Sequence, residues 1–304
     1  TPMKLNPEAV SRINDHGGTI LGSSRGRQNV GEMVDTLDRM NIGLLFVIGG
    51  DGALRGAQAM AEEIHRRGLK IGVIGIPKTI DNDICFVERS FGYVTAVAEA
   101  VKAIDAAHTE AKGARNGISL VKLMGRESGF IAMFASLASS DVNFCLIPEA
   151  PFRLEKLLPL LRSRREQRRH AVIVAAEGAG QDLIGAPPER DASGRLRLKD
   201  IGVFLRERIL DYFTSVGMDA TFKYIDPSYT IRSVPANAYD SAFCLILGQN
   251  AVHAGMAGRT NMVVGYWMRS FTHVPIPLAV SERRRVDPRG WAWGSVLTST
   301  GQPQ

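Results

Sequence analysis

Residues 74–84 read IGIPKTIDNDI: an apolar run stops at Pro77 and is followed at once by an ammonium, Lys78, a hydroxyl, Thr79, and two carboxylates, Asp81 and Asp83, around Asn82. A carboxylate so placed can take a proton from a hydroxyl or hold a metal ion, and a lysine beside it can meet an anion. The same residue types build ordinary polar turns. Taken alone, the stretch reads equally as the wet end of a strand or as a site.

Other short stretches offer matching chemistry. FVIGGDGALRGA places Gly49 and Gly50 at the end of an apolar run, then Asp51 and Gly52, then the start of a helical pattern. Glycines admit a phosphate close to the backbone, a helix N-terminus offers free N–H groups, and Asp51 can hold Mg2+ on phosphate oxygens. The stretch is neither the Gly-Lys-Ser/Thr phosphate loop nor GxGxxG. A tight turn with Asp51 as cap is the alternative. GGTILGSSRG, 17–26, ends a β-like run in Arg25, and MGRESG puts Arg126 at another strand end, where a guanidinium can meet a phosphoryl group. DPSYTIRSVPANAYD supplies Tyr229 and Arg232, with Lys223 shortly before, a set suited to a phosphate ester; surface salt bridging is the default for either cation.

Such residues need strands that deliver them to one place. Six apolar runs, GLLFVIGG, KIGVIGIP, GISLVKLMG, NFCLIPE, AVIVAAEG and NMVVGYW, alternate with amphipathic helical stretches such as ALRGAQAMAEEIHRR and TAVAEAVKAIDAAHTEA. Alternation of this kind predicts an α/β fold with mostly parallel sheets covered on both faces, and at 304 residues a prior of roughly 150 per domain gives two domains. Ligands of open α/β sheets bind beyond the carboxyl ends of the strands. GGDG, PKTIDND, MGRESG and Glu177-Gly178 all follow predicted strands, so convergence in one crevice would make a site.

Composition narrows the classes. The chain is 45% hydrophobic, as in a globular protein, with no apolar run near the roughly 20 residues that span a bilayer, and the N-terminus lacks the order of a signal peptide. A cytoplasmic protein without a membrane partner is expected. Cys85, Cys145 and Cys244 have no metal-ligand spacing and sit in apolar runs, so they read as buried thiols. The net charge of +6 suits an anionic partner. RSRREQRRH, 162–170, has no aromatic to stack on bases, so it reads as a solvated helix face and not a nucleic-acid patch. ERRRVDPRG, 282–290, reads as a surface loop or subunit contact, and 180–197 as a surface insertion.

The order GGDG, GIPKTIDNDI, VKLMGRESGF, IPEAPF, VAAEG, KYIDPSYTIRSVPANAYD and LTSTGQP resembles the phosphofructokinase family, most closely its plant-like and trypanosomatid ATP-dependent branch, from about Gly17 to the C-terminus. The resemblance implies two Rossmann-like three-layer domains, one for nucleotide and Mg2+ over 1–93 plus 231–281, the other for sugar phosphate over 94–230 plus 282–304. It implies transfer of the γ-phosphoryl of ATP to the C1 hydroxyl of fructose 6-phosphate, and a homo-oligomer, a tetramer or at least a dimer. Asp81 matches the general base, Asp83 its acidic companion, and Asp51 the magnesium-associated carboxylate. Thr79, Met124, Gly125 and Arg126 match positions around the sugar and the moving phosphoryl. Glu177, Lys223, Tyr229 and Arg232 match sugar-phosphate contacts; Arg25, Gly50, Gly52 and Lys78 lie where the family meets the nucleotide phosphates.

Gly52 favours ATP, because diphosphate users of the family usually carry Asp there; Lys78 is common to both kinds. The sequence departs from the family pattern in beginning after the usual first strand and GGxxPGxN turn, which leaves the nucleotide site short of one wall, and in Ala53, where Ser or Thr is usual. Its first 18 residues read as a helix leading into a strand at GTILGSSRG. Gly117 stands about where bacterial ATP enzymes bring an arginine from a neighbouring subunit, with Lys122 a candidate substitute. Three rivals remain: a diphosphate-dependent phosphotransferase, another GGDG kinase such as the NAD kinase and diacylglycerol kinase group, and a non-catalytic subunit that binds sugar phosphate. PKTIDND followed by PSYTIR argues against the second.

Overall fold

The computed structural model describes residues 2–23, 26, 28–185 and 197–303. Its strands are β1 (Leu44–Gly49), β2 (Gly72–Pro77), β3 (Gly117–Leu123), β4 (Phe144–Leu146), β5 (Ala171–Ala176), β6 (Thr221–Ile225), β7 (Met262–Trp267) and β8 (Ser270–Pro275). The helices are α1 (Val30–Arg39), α2 (Asp51–Arg66), α3 (Tyr93–Gly113), α4 (Phe130–Ala138), α5 (Leu154–Arg168), α6 (Gln181–Ile184), α7 (Ile201–Ser215), α8 (Ser228–Ser233), α9 (Ala238–Met256), α10 (Ile276–Ala279) and α11 (Trp291–Thr300). None of the described helices is long and apolar enough to cross a membrane.

Two four-stranded sheets result, ordered β1-β2-β7-β8 and β4-β5-β3-β6. All pairings are parallel except β7 with β8. The strands with the strongest apolar runs, β3 and β5, are interior and buried on both faces, as parallel strands must be. Helices cover both faces of each sheet. Leu54, Ala57, Met60, Ala61 and Ile64 recur at helical spacing on α2 and pack with Val73 and Val263, while Phe243, Leu247 and Ala251 of α9 meet Ile74 and Val264 on the opposite face. Around the second sheet, α3, α4 and α11 share one core with Val121, Val172 and Val174, and α5 and α7 share another with Leu120 and Ile173. The α/β three-layer architecture expected from the sequence is therefore present, and all six strands expected from the apolar runs between the helical stretches form. The unpredicted strands, β6 and β8, lie at sheet edges.

Polar contacts join the layers. Asp240, fully buried, accepts the Thr95 N–H at 2.7 Å and its hydroxyl at 2.6 Å, which couples α9 to α3. On the open edge of β4, the Gln302 carboxamide accepts the Cys145 N–H at 2.6 Å and donates to the Cys145 carbonyl at 3.0 Å. Cys85 and Cys145 are buried thiols as expected, whereas Cys244 is only half-buried.

Two expectations need correction, and a third lies mostly outside the described residues. The first residues form only a 3-10 turn, Ile13–Asp15, in place of a helix, and no strand forms over 17–23. Residues 2–23 are all exposed, so no apolar face is covered to offset the ordering of such a short helix. The run 162–170 is not uniformly solvated, because Arg165 is 6% exposed with its guanidinium 5.0 Å over the Phe213 ring. Most of the 180–197 insertion lies outside the described residues; its first part holds α6.

Gly117 has a packing role. A Cβ there would lie 2.1 Å from the Ala111 carbonyl oxygen, at the end of α3, so no larger side chain fits. Gly117→Ala forces backbone apart at a buried strand start, at a cost of about 1–3 kcal/mol. Thermal unfolding should fall by several degrees; a Tm within about a degree of the parent would show that the α3–β3 junction yields freely.

Candidate active site

The carboxyl ends of β1 and β2 come together through the Lys78 N–H, which donates to the Gly49 carbonyl at 2.9 Å. Gly50 caps α2, and Asp51 is the first residue of that helix. Beyond β2 the chain folds back on itself. Asn82, 3% exposed and in the left-handed region at φ 54°, accepts the Ser90 N–H at 2.9 Å and donates to the Glu88 carbonyl at 3.1 Å. Asparagine tolerates that conformation. The Thr79 hydroxyl accepts the Asp81 N–H at 3.2 Å and donates to Asp83 at 3.4 Å. The polar turn is thus a rigid, partly buried loop with Asp81 and Asp83 on either side of its anchor. Lys78 is exposed, and so is Gly52 in the first turn of α2.

Arg283 stands at the centre of the acidic residues. Its guanidinium donates to Asp83 and, at 3.1 Å, to Asp51, and lies 3.4 Å from Glu127. Arg55, one helical turn along α2, also reaches Asp51, at 3.1 and 3.2 Å. Burial alone would lower the Arg283 pKa, but the fields of Asp83, Asp51, Glu127 and Asp81 outweigh it and hold the group above its ordinary value. The segment 282–290 is largely exposed, as a surface loop would be, but the Arg283 side chain departs from that expectation: it is 14% exposed and turned inward onto Asp51 and Asp83.

The same segment links the two sheets. Arg283 bridges Ile84 in antiparallel sense, and the Arg284 N–H donates to the Asp83 carbonyl at 2.9 Å. Arg284 reaches the carbonyls of Val87 and Glu88 while its guanidinium covers the Phe130 ring at 4.7 Å. Ser128 donates to the Arg284 carbonyl at 2.9 Å, and Glu149 accepts N–H groups of both Val286 and Gly129. Alternate residues of an extended chain face opposite ways. Arg283 and Arg285 accordingly meet Glu127, whereas Arg284 points back to the loop after β2.

On the second sheet, the ends of β3 and β5 are joined by the Glu177 N–H to the Leu123 carbonyl, 2.8 Å, and the Gly178 N–H to the Gly125 carbonyl, 3.0 Å. Gly125 has φ 133°, and a Cβ on Gly178 would lie 1.9 Å from the Arg126 carbonyl, so both glycines are needed for the turn that carries Arg126. Met124 is 7% exposed and belongs to the core. Burial raises the Glu177 pKa, the charges of Arg126, Lys122 and Arg232 pull it back, and Asp226 adds to the rise. Arg126, Lys122 and Arg232 thus all lie within electrostatic reach of Glu177. Arg232 lies 5.3 Å over the ring of Tyr229, which is 80% exposed.

Lys223 is not brought to this group. Its ammonium sits on the edge strand β6, 3.9 Å from Glu110 of α3. Lys122 is held by Asp200 at 2.7 Å and Asp226 at 2.8 Å, an arrangement that fixes the start of α8 more than it offers a free cation. Arg25 lies outside the described residues. Hollows of about 210 and 130 Å³ occur between α5, β4 and Pro303, away from these residues.

Comparison with known proteins accords with the geometry. The Phosphofructokinase family profile matches residues 1–255. The chain belongs to that family. It is 53% identical over 312 aligned residues to the ATP-dependent 6-phosphofructokinase of Borreliella burgdorferi, covering 99% of this chain and 70% of that enzyme. To the enzyme of the same description from Trypanosoma cruzi it is 48% identical, covering 99% of this chain and 62% of that one. Among solved structures, the pyrophosphate-dependent phosphofructokinase of Marinobacter aquaeolei superposes with a TM-score of 0.76 at 18% identity, over 97% of this chain and 78% of the other, a likeness of fold.

Among the described residues no group of three or more His, Cys, Asp or Glu is arranged to hold a metal by itself. Mg2+ needs less: it commonly takes one or two carboxylates and completes its shell with phosphate oxygens and water. Asp51 at the start of α2, with Asp83 nearby, fits that mode.

The Glu177 shift has a sign that can be tested. The folded state holds its proton more tightly than the unfolded state, so its contribution to stability is complete below about 4.5 and is lost as pH rises through the folded value. Urea midpoints followed from about pH 4.5 to 7 should decline more, or rise less, in the parent than in Glu177→Gln. Parallel profiles would remove Glu177 as a source of the slope.

Proposed function

We propose that the chain is an ATP-dependent 6-phosphofructokinase, which transfers the γ-phosphoryl group of ATP to the C1 hydroxyl of D-fructose 6-phosphate and releases fructose 1,6-bisphosphate and ADP. One observation supports this above others. Arg283 ties Asp51 and Asp83, at the ends of β1 and β2, to Glu127 in the turn that carries Arg126, which supports a site where the carboxyl ends of the two sheets meet.

Phosphoryl transfer asks for alignment and charge neutralisation more than for covalent chemistry. Asp81 takes the proton of the C1 hydroxyl as that oxygen attacks. Thr79 holds the Asp81 backbone and the Asp83 carboxylate in place. Arg126 donates to the moving phosphoryl, beside Met124 and Gly125; Glu177 accepts from the sugar, and Tyr229 with Arg232 takes the 6-phosphate. Gly50, Gly52 and Lys78 border the nucleotide phosphates. Mg2+, when bound, neutralises phosphate charge, and Asp51 is the residue that would hold it.

The nucleotide half comprises 1–93 with 231–281 and the sugar half 94–230 with 282–304, a division supported by β1, β2, β7 and β8 forming one sheet and β3 to β6 the other. A homo-oligomer is supported by the exposed apolar stripe Leu245, Ile246, Val252 and Met256 on α9. Free thiols at all three cysteines suit the cytoplasm.

Asp81→Ser should lower kcat by at least about 10²-fold while changing the KM for fructose 6-phosphate little. Near-normal turnover would remove Asp81 from the mechanism. A coupled assay with ATP and with diphosphate tests the donor. Gly52→Asp, which sets a carboxylate in the first turn of α2 beside the phosphate path, should raise the KM for ATP; unchanged ATP kinetics would count against Gly52 as a determinant.

A further inference from the structure

We propose that Arg283 is a positioning residue of this site: an internal counter-cation that sets the spacing of Asp51 and Asp83 and excludes a bare divalent ion from Asp51. The inference rests on the reading of Asp51 as the metal-bearing carboxylate.

Arg283 is delivered by a backbone that is itself pinned, through its bridge to Ile84 and the Arg284 N–H on the Asp83 carbonyl. Its fork spans two carboxylates from different strand ends, as a planar guanidinium can and a single ammonium cannot. Both Asp51 oxygens already accept guanidinium N–H groups, Oδ2 from Arg283 at 3.1 Å and both from Arg55 at 3.1 and 3.2 Å. Arg55 is 53% exposed and yields easily, whereas Arg283 is 14% exposed and held on three carboxylates. A divalent cation approaching alone must part Arg283 from Asp51 and then sit beside its charge. A metal that arrives with a polyphosphate brings acceptor oxygens and negative charge for the displaced N–H groups, so the same exchange is favourable. The arrangement therefore couples metal occupancy to nucleotide occupancy, and Arg283 acts through the two aspartates without contacting the acceptor sugar.

The test uses Mn2+ as a spectroscopic substitute for the metal, titrated into the nucleotide-free full chain and followed by electron paramagnetic resonance of the free ion. Arg283→Met should bind Mn2+ about tenfold or more tightly than the parent. Asp51→Asn placed in the same variant should remove that gain. Unchanged Mn2+ affinity in a folded Arg283→Met protein, or a gain that survives Asp51→Asn, would overturn the inference. Arg283→Lys keeps the charge and loses the two-point bridge. It should leave Mn2+ affinity within about threefold of the parent and lower kcat at least about tenfold, with the KM for fructose 6-phosphate little changed. Parental kcat in that variant would equally overturn the positioning role. Failure of the parent to phosphorylate fructose 6-phosphate would sink the functional reading while leaving the Mn2+ comparison intact, so the two can fail separately.

Discussion

Carboxylates carried on the ends of adjacent parallel strands repel one another, and at low exposure they require a cation between them. Asp51 and Asp83 are in that position, and the cation is supplied from a segment 232 and 200 residues away in sequence. Once Arg283 is committed there, residues 282–286 must run between the two sheets. The hydrogen bonds of Arg284, Val286, Ser128 and Glu149 then follow from that path. Charge balance at one point thus fixes how the end of the first sheet meets the turn at the end of the second.

The proposed chemistry would draw on that junction. The loop after β2 is held by Asn82 and Ser90, and the turn after β3 by Gly125 and Gly178. Preorganised charge of this kind is the largest contribution a protein makes to phosphoryl transfer. The Lys122 pair with Asp200 and Asp226 plays the corresponding part further out, because Asp200 also caps α7 and Asp226 opens the turn into α8.

Much of this was legible in the sequence, for identifiable reasons. Apolar runs announce strands: all six form, four of them interior and two, β1 and β4, at sheet edges. β6 and β8 were not legible: TFKYI and SFTHVP mix lysine, serine and histidine into edge strands that are covered on one side only, so neither an apolar run nor a clean alternation results. The aspartates after β2 could be found because the motif is local. Arg283 could not, since a run of three arginines beside Glu282 and Asp287 has the composition of a solvated surface. Its one signal was the alternation that sends Arg283 and Arg285 to one side and Arg284 to the other, and that is informative only once the segment is known to be extended. Lys223, another motif position, lies on the edge strand β6 with its ammonium 3.9 Å from Glu110.

The amide of Gln302 on the rim of β4 carries a consequence of its own. A terminal strand of a sheet leaves a row of bare peptide groups that can template addition of a foreign chain, and proteins blunt such rims to avoid growing into fibres. At Cys145 the carboxamide imitates a peptide unit, donor against acceptor and acceptor against donor, so the rim is closed without a further strand. One side chain thereby removes a template on which a foreign strand could grow.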